Sequence, residues 1–328
     1  MKHISILVPE GDCSLTNIEG THQIFSEVNS FLARAGKPRL FTVQLVALNR
    51  HAAIKKGFFN IHPDLLIDDD FKTDLIIIPA LQGDLKKNLV LNQAFIPWLI
   101  AQYKKGAEIA SLCLGSFLLA STGLLKGKKC ATHWVAASDF RNMFPDVNLV
   151  TDKIITDENG IYSSGGAYSS LNLILYLVEK FAGRDMAILC SKIFQIEIDR
   201  NSQSGFMIFN GQKEHEDETI KKAQEFIERN LSDKITVDEL ASNLALGRRN
   251  LERRFKQATS NTVVEYIQRV KIEAAKISLE TSRENVNEVM YNVGYTDPKA
   301  FRTTFKKITG LLPIEYRNKY KRTIYAVA

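Results

Sequence analysis

VDELASNLALGRRNLERRFKQ (Val237–Gln257) and VNEVMYNVGYTDPKAFRTTFKK (Val286–Lys307) are two copies of one pattern. From Ala241, apolar residues follow at Leu244, Leu246, Leu251 and Phe255, offsets +3, +5, +10 and +14. From Met290 they follow at Val293, Tyr295, Phe301 and Phe305, offsets +3, +5, +11 and +15. The second copy has one extra residue in its turn. Each copy is expected to form a helix-turn-helix, with apolar residues about one turn apart locking the second helix onto the first. Two such units on one chain can set two helices in successive major grooves of DNA.

Charge follows the repeat. Leu246–Gln257 carries Arg248, Arg249, Arg253, Arg254 and Lys256 against Glu252, and Lys299–Lys307 carries Lys299, Arg302, Lys306 and Lys307 with no acid. A lone basic run is usually a solvated helical face. Here both runs occupy the same place in a repeated motif, which favours a polyanion. With Leu251 and Phe255 turned inward, Arg249, Asn250, Glu252 and Arg253 are expected to face bases. In the second copy Lys299, Arg302, Thr303 and Lys306 are expected outward. Arg can bond bidentately to guanine and Glu can accept from cytosine. Arg254, Lys256 and Lys307, nearer the helix ends, are expected at phosphates, with Arg248 in the same basic surface.

The chain has 328 residues, 45% hydrophobic and 24% charged, with net charge +6. That length predicts two domains, and the composition excludes a disordered chain. The apolar runs Leu75–Leu81 and Leu171–Val178 are too short to span a bilayer, so no membrane partner is expected. The N-terminus lacks a signal-peptide layout, and a cytoplasmic location is expected. Cys13, Cys113, Cys130 and Cys190 show no CxxC spacing. They are expected as reduced thiols, with no metal site and no cofactor.

Up to about residue 197, β-rich runs alternate with helical patterns. Ile4–Val8, Phe41–Leu48, Leu75–Ile78 and Glu108–Leu112 are expected strands. Ser14–Leu32, Asn92–Lys105, Gly115–Leu124 and Ala167–Phe181 are expected helices. Such alternation implies βαβ units and a parallel sheet. Val147–Ile155 and Gly160–Ser164 are expected to pair around Asp157–Gly160, with Arg184–Ile196 as the last helix. Residues 198–215 lose periodicity and are expected to link this domain (1–197) to an all-helical one (216–320), followed by a tail (321–328). In that second domain Glu218–Asn230 and Val263–Thr281 are further helices. Gly294 suits a left-handed helix end, and Asp297-Pro298 places a capping carboxylate before an N-terminal proline.

Gly294-Tyr295, Phe301, Phe305, Gly310 and Pro313-Ile314-Glu315-Tyr316-Arg317 resemble the AraC family of transcription regulators over about residues 216–320. Met290 stands where that family usually has Ala, and Gly247 where it usually has a Ser cap. Over about residues 2–205 the chain resembles the DJ-1/PfpI (glutamine-amidotransferase-like) domain. The features that match are Cys113 on a strand-to-helix elbow, Gly123–Gly127, Thr132-His133-Trp134 and Arg200-x-x-Gln203. The pair together resembles the GlxA-like regulators. The fold expected is therefore an α/β flavodoxin-like (DJ-1/PfpI-type) parallel-sheet domain followed by an all-α domain with two helix-turn-helix units.

Two readings of Cys113 stand. It is structural, or it is a reactive thiol whose pKa a helix N-terminus lowers. Enzymes of the superfamily place His directly after Cys, and here the residue is Leu114. The usual acid falls near Asn17, which cannot ionise, with Glu19 two residues on. His133 either approaches Cys113 or is held structurally. No catalytic residue is assigned. Asn17, Glu19, Gly83, Cys113 and His133 are the expected surroundings of one ligand cavity at the carboxyl ends of the strands. The resemblance implies double-stranded promoter DNA, RNA polymerase, a small nitrogen-containing effector and a second copy of the chain as partners. A cysteine hydrolase tethered to DNA and a Cys113 redox sensor are the rival readings.

Overall fold

The structure, a computed structural model, describes residues 1–50, 52–54, 59–198, 200 and 202–321. Residues 199 and 201 of the expected linker and 322–328 of the expected tail lie outside the described residues. The chain divides into two compact units, the first Met1–Gln203 and the second beginning at Ser204.

The first unit runs β1 (Lys2–Val8), α1 (Leu15–Arg34), β2 (Phe41–Ala47), β3 (Ala52–Ile54), β4 (Phe59–Ile61), β5 (Leu65–Leu66), β6 (Leu75–Ile78), α2 (Leu85–Leu91), α3 (Phe95–Lys104) and β7 (Glu108–Ser111). It continues α4 (Ser116–Ser121), β8 (Lys129–Cys130), α5 (Ala137–Met143), β9 (Asn148–Leu149), β10 (Ile155–Glu158), β11 (Ile161–Ser164), α6 (Ser170–Ala182) and α7 (Arg184–Phe194). Seven strands form one sheet in the order β10-β11-β7-β6-β1-β2-β5, parallel except where β10 meets β11. The continuous apolar runs of β1 and β6 follow from burial on both faces. Ile4, Ile6 and Val8 face one core with α1 and α6. Leu7, Ile76 and Ile78 face the other with Phe95, Leu99 and Phe117.

The expected strand over Val147–Ile155 is corrected. Asn148–Leu149 pair in parallel with Lys129–Cys130, and the hairpin is Ile155–Glu158 against Ile161–Ser164. Its turn is Asn159-Gly160, both with positive φ (55° and 79°), the two-residue geometry whose twist matches the flanking strands.

The second unit is helical: α8 (Glu218–Arg229), α9 (Val237–Asn243), α10 (Arg248–Thr259), α11 (Val263–Thr281), α12 (Val286–Asn292), α13 (Pro298–Thr309) and α14 (Pro313–Tyr320). α11 serves both halves. It packs with α8 and α10 on one side and with α12, α13 and α14 on the other.

The repeat is longer than its helix-turn-helix cores. Thr259 and Thr309 each donate to the carbonyl four residues back, Phe255 and Phe305, at 2.8 Å. Ser260 and Gly310 then close α10 and α13 in left-handed conformation. Tyr266 packs edge-on to Phe255 and donates to Glu228 at 3.0 Å; Tyr316 packs edge-on to Phe305 and donates to Glu280 at 2.6 Å.

From Ser204 to Gln212 the chain lies on this unit as a strap. Tyr320 donates to Gly205 O at 3.1 Å, Lys276 Nζ to Met207 O at 2.6 Å, and Gln224 Nε2 to Gln212 O at 3.0 Å. Phe209 N–H donates to Glu273 at 3.1 Å while its ring stands edge-on to Tyr266.

Candidate nucleic-acid interface and elbow cysteine

Leu251 and Phe255 are fully buried on α10, as are Phe301 and Phe305 on α13. Helical geometry therefore turns Arg249, Asn250, Arg253 and Lys256 outward, and all four are exposed. On α13, Lys299, Arg302, Thr303, Lys306 and Lys307 are exposed. Register from the caps Gly247 and Asp297 makes Arg249 the counterpart of Lys299, Arg253 of Thr303 and Lys256 of Lys306. Asp297 accepts from Lys299 N (2.9 Å) and Ala300 N (3.3 Å), so two of the first amides of α13 are satisfied. Gly247 offers α10 no such bond.

Arg249, Glu252, Arg253 and Lys256 line an open groove of about 680 Å³ between α10 and the start of α11 at Thr262 and Val264. Arg253 donates to Asn250 Oδ1 at 3.1 Å, which holds its guanidinium along the exposed face.

Two arginines of the basic run have other duties. Arg248 reaches Asp238 on α9 at 3.0 Å and Glu252 at 3.2 Å, so it ties the two helices of the first repeat together. Arg254 makes a bidentate bond to Asp217, Nε at 2.8 Å and Nη2 at 2.6 Å. Asp217 is also the N-cap of α8, accepting from Ile220 N. Arg254, expected at phosphates, makes this fork in the structure, and the fork fastens α10 to α8. The Arg254 guanidinium holds the Asp217 carboxyl below the usual range.

In the first unit the chain leaves β7 at Leu112 and turns sharply at Cys113, whose φ is +53°. Gly115 makes the turn possible: a Cβ there would lie 2.5 Å from Ile78 O and 2.6 Å from Pro79 O. Cys113 N–H donates to Ser164 Oγ at 3.3 Å; its carbonyl accepts from Ser116 Oγ at 3.0 Å and Thr132 Oγ1 at 3.3 Å. The side chain is buried. Burial pushes the thiol up to about 11, although amides of Ala167 and Leu114 directed at the sulfur pull the other way. The expected lowering by the helix N-terminus is thus reversed, because removal from water outweighs two amide dipoles.

His133 packs on the adjoining turn. A Cβ on Gly166 would lie 3.1 Å from its Cδ2 and 3.2 Å from its Nε2. Its Nδ1 accepts from Val135 N at 3.2 Å, and burial lowers its pKa. In the neutral ring the proton is then on Nε2, which cannot accept another from a thiol. Asn17 is buried and donates to Ser170 Oγ at 2.9 Å while accepting from Ala80 N at 3.1 Å. Ser170 Oγ donates to Ala167 O at 2.6 Å, so Asn17 and Cys113 are joined through one turn. Glu19 and Gly83, expected in the same cavity, are exposed, and none of the hydrogen bonds among the described residues links them to this cluster.

Sequence reasoning passed over Ser164, Ala167 and Ser170. The sequence shows Gln203 only as part of a motif. Its Nε2 donates to Thr132 O (3.0 Å) and Lys153 O (3.1 Å), and its Oε1 accepts from Gly166 N (3.3 Å). The available signal was Gly165-Gly166: a Cβ at 165 would sit 2.7 Å from Gln203 Nε2.

Residues 240–319 match the helix-turn-helix domain family, and residues 25–180 match the DJ-1/PfpI family. The HTH-type transcriptional regulator GbdR of Pseudomonas aeruginosa is 27% identical over 268 residues, 78% of this chain and 69% of that protein. The HTH-type transcriptional regulator GlxA of Rhizobium meliloti is 24% identical over 219 residues, 65% of this chain and 66% of that one. The chain thus pairs a DJ-1/PfpI-like domain with an AraC-type helix-turn-helix domain, and the relatives it resembles are HTH-type transcriptional regulators. A solved protein of Vibrio parahaemolyticus, described as a transcriptional regulator, shares the fold of part of this chain, with TM-score 0.52 and 24% identity over 58% of this chain and 98% of its own. No helix among the described residues is long and apolar enough to cross a membrane.

Proposed function

We propose that the regulator reads a specific promoter sequence with α10 and α13 and answers to a small effector bound by its first unit, without turning that effector over. The observation that carries the first part is the matched exposure of Arg249 with Lys299 and of Lys256 with Lys306 at equal positions of two helices whose inner faces are buried. Arg249 and Arg253 read bases; Lys256, Lys306 and Lys307 neutralise phosphates. Arg302 and Thr303 complete the second reading face.

Loss of catalysis is supported by three features. Leu114 follows the cysteine, the Cys113 thiol is held protonated, and the Nδ1 lone pair of His133 is occupied by Val135 N–H. The effector is a nitrogen-containing metabolite on the resemblance to GlxA-like regulators. Effector binding shifts the population toward one state with altered affinity for DNA or RNA polymerase. A second copy of the chain is the further partner, and the cytoplasm is where the complex works.

Anisotropy of the full chain on fragments of its own upstream region, across a salt series with random competitor, tests this reading. A strong preference for one fragment is expected. Equal binding to all fragments would sink sequence-specific reading. Turnover of amides or glyoxals that disappears in Cys113→Ala would overturn the loss of catalysis.

A further inference from the structure

The turn of the second helix-turn-helix presses directly on the loop that leads into the first. A Cβ on Gly294 would lie 2.5 Å from Ser232 O and 2.8 Å from Leu231 O, in the loop that leads from α8 into α9. Backbone meets backbone there, with the Lys271 ammonium beside it, 2.6 Å from the same Cβ position. Lys271, midway along the shared helix α11, fills the rest of the seam. Its ammonium donates to Asp233 O at 2.9 Å and to Gly294 O at 3.4 Å, 5.8 Å from the centre of the Tyr295 ring. The residue is only 6% exposed. One cation therefore holds a carbonyl from each head in a place where water is excluded. An unpaired carbonyl there is costly, so a displacement of either head costs a bond.

We propose that Lys271 is a positioning residue that sets the spacing and phase of the two recognition helices, so that the regulator accepts its two DNA blocks at one separation only. This rests on the DNA-reading role of α10 and α13. Lys271 touches no DNA. It acts through the Asp233 and Gly294 carbonyls, and Gly294 contributes by letting the two backbones meet. Without the joint, the heads would remain folded around their own cores and tied through α11, but would lose the direct contact that fixes their spacing and phase. Each core is complete without the lysine: Leu251 and Phe255 pack with Ile220 and Tyr266, and Phe301 and Phe305 with Met290 and Tyr316.

The test uses the full chain in two assays. In the first, spin labels on Gln257→Cys and Lys307→Cys report the distance between heads without DNA. The four native cysteines are buried. A single narrow distance is expected in the parent, a broad one in Lys271→Met, and a narrow one again in Lys271→Arg, which can still donate to both carbonyls. Equal widths in parent and Lys271→Met would overturn the proposal. In the second, the parent chain selects a duplex from a random-sequence pool, and about five base pairs, half a helical turn, are inserted between its two protected blocks. The insertion should weaken the parent about tenfold to a hundredfold, the loss of one head's base contacts. Lys271→Met should lose most of that discrimination while binding a single block as the parent does; Lys271→Arg should restore it. An undiminished penalty in Lys271→Met overturns the proposal. Failure of the parent to enrich any duplex would sink the DNA-reading role instead, and the label distances would still decide the joint. The methionine variant keeps the aliphatic stem of a buried lysine, and its melting curve checks that it folds.

Discussion

Ala245 and Gly294 occupy the same place in the turns of the two repeats, four residues beyond Ala241 and Met290, and both are left-handed, with φ of +51° and +72°. Ala245 is exposed and carries its Cβ there, whereas a Cβ on Gly294 would meet the Ser232 and Leu231 carbonyls. An alanine in that conformation still carries strain that glycine lacks.

Ala245→Gly should therefore stabilise the helical unit by about 0.5–1 kcal/mol, strain relief exceeding the added chain entropy. Gly294→Ala should destabilise it by about 3 kcal/mol or more, since strain adds to the overlap. Both tryptophans, Trp98 and Trp134, lie in the first unit. Urea transitions seen by ellipticity but not by tryptophan fluorescence thus isolate the effect. An Ala245→Gly midpoint below the parent's would contradict it.

Asp217→Asn should weaken the helical unit at neutral pH by breaking the fork to Arg254. A carboxyl whose folded pKa is depressed contributes stability above its unfolded value, about 3.9, and loses it as pH falls through the folded value. The gap between parent and Asp217→Asn melting temperatures should close below that range. A gap unchanged down to about pH 2 would mean that the charge of Asp217 is not what matters.

On the selected duplex, Arg249→Ala and Arg253→Ala should each cost about 1–3 kcal/mol and relax specificity at one base pair. Lys307→Ala should weaken all sequences alike and reduce the salt slope by about one. Arg254→Ala should leave the slope intact, since its guanidinium is already committed to Asp217. Binding of each variant to cognate and random duplex over a salt series checks all four; a lower slope for Arg254→Ala would return it to the phosphates.

Alkylation of Cys113 by iodoacetamide at pH 7.5 should run about two orders of magnitude slower than that of a free thiol, because a pKa near 11 leaves little thiolate. Its rate should climb with pH well past the ordinary thiol range. Mass analysis of the labelled peptide reads this directly. Rapid labelling at neutral pH would revive the redox reading.

Features encoded by local periodicity were open to sequence reasoning. The offsets from Ala241 and Met290, the Asp297-Pro298 cap and the left-handed Gly294 all depend on neighbours within one turn of chain, as do the apolar runs of β1 and β6. What stayed hidden depends on distant partners. Arg254 looks like any member of its basic run until Asp217, 37 residues earlier, reaches it. Tyr266 and Tyr316 extend the repeat only when their Glu228 and Glu280 partners are seen. The fate of the Cys113 thiol turned on burial, which a strand-to-helix elbow does not specify by itself. The β10–β11 hairpin was misplaced because Asp157 and Glu158, polar residues in a strand, resembled a turn.

The strap of Ser204–Gln212 bears on how the protein is taken apart. A fragment begun at Glu216, the first residue of the helical pattern, would leave Glu273 and Lys276 facing water where Phe209 and Met207 had covered them, and would strip one ring from the aromatic pair on Tyr266. Severed there, the DNA-reading half would be judged by an injury of the cut. Begun at Ser204, it carries its own backing.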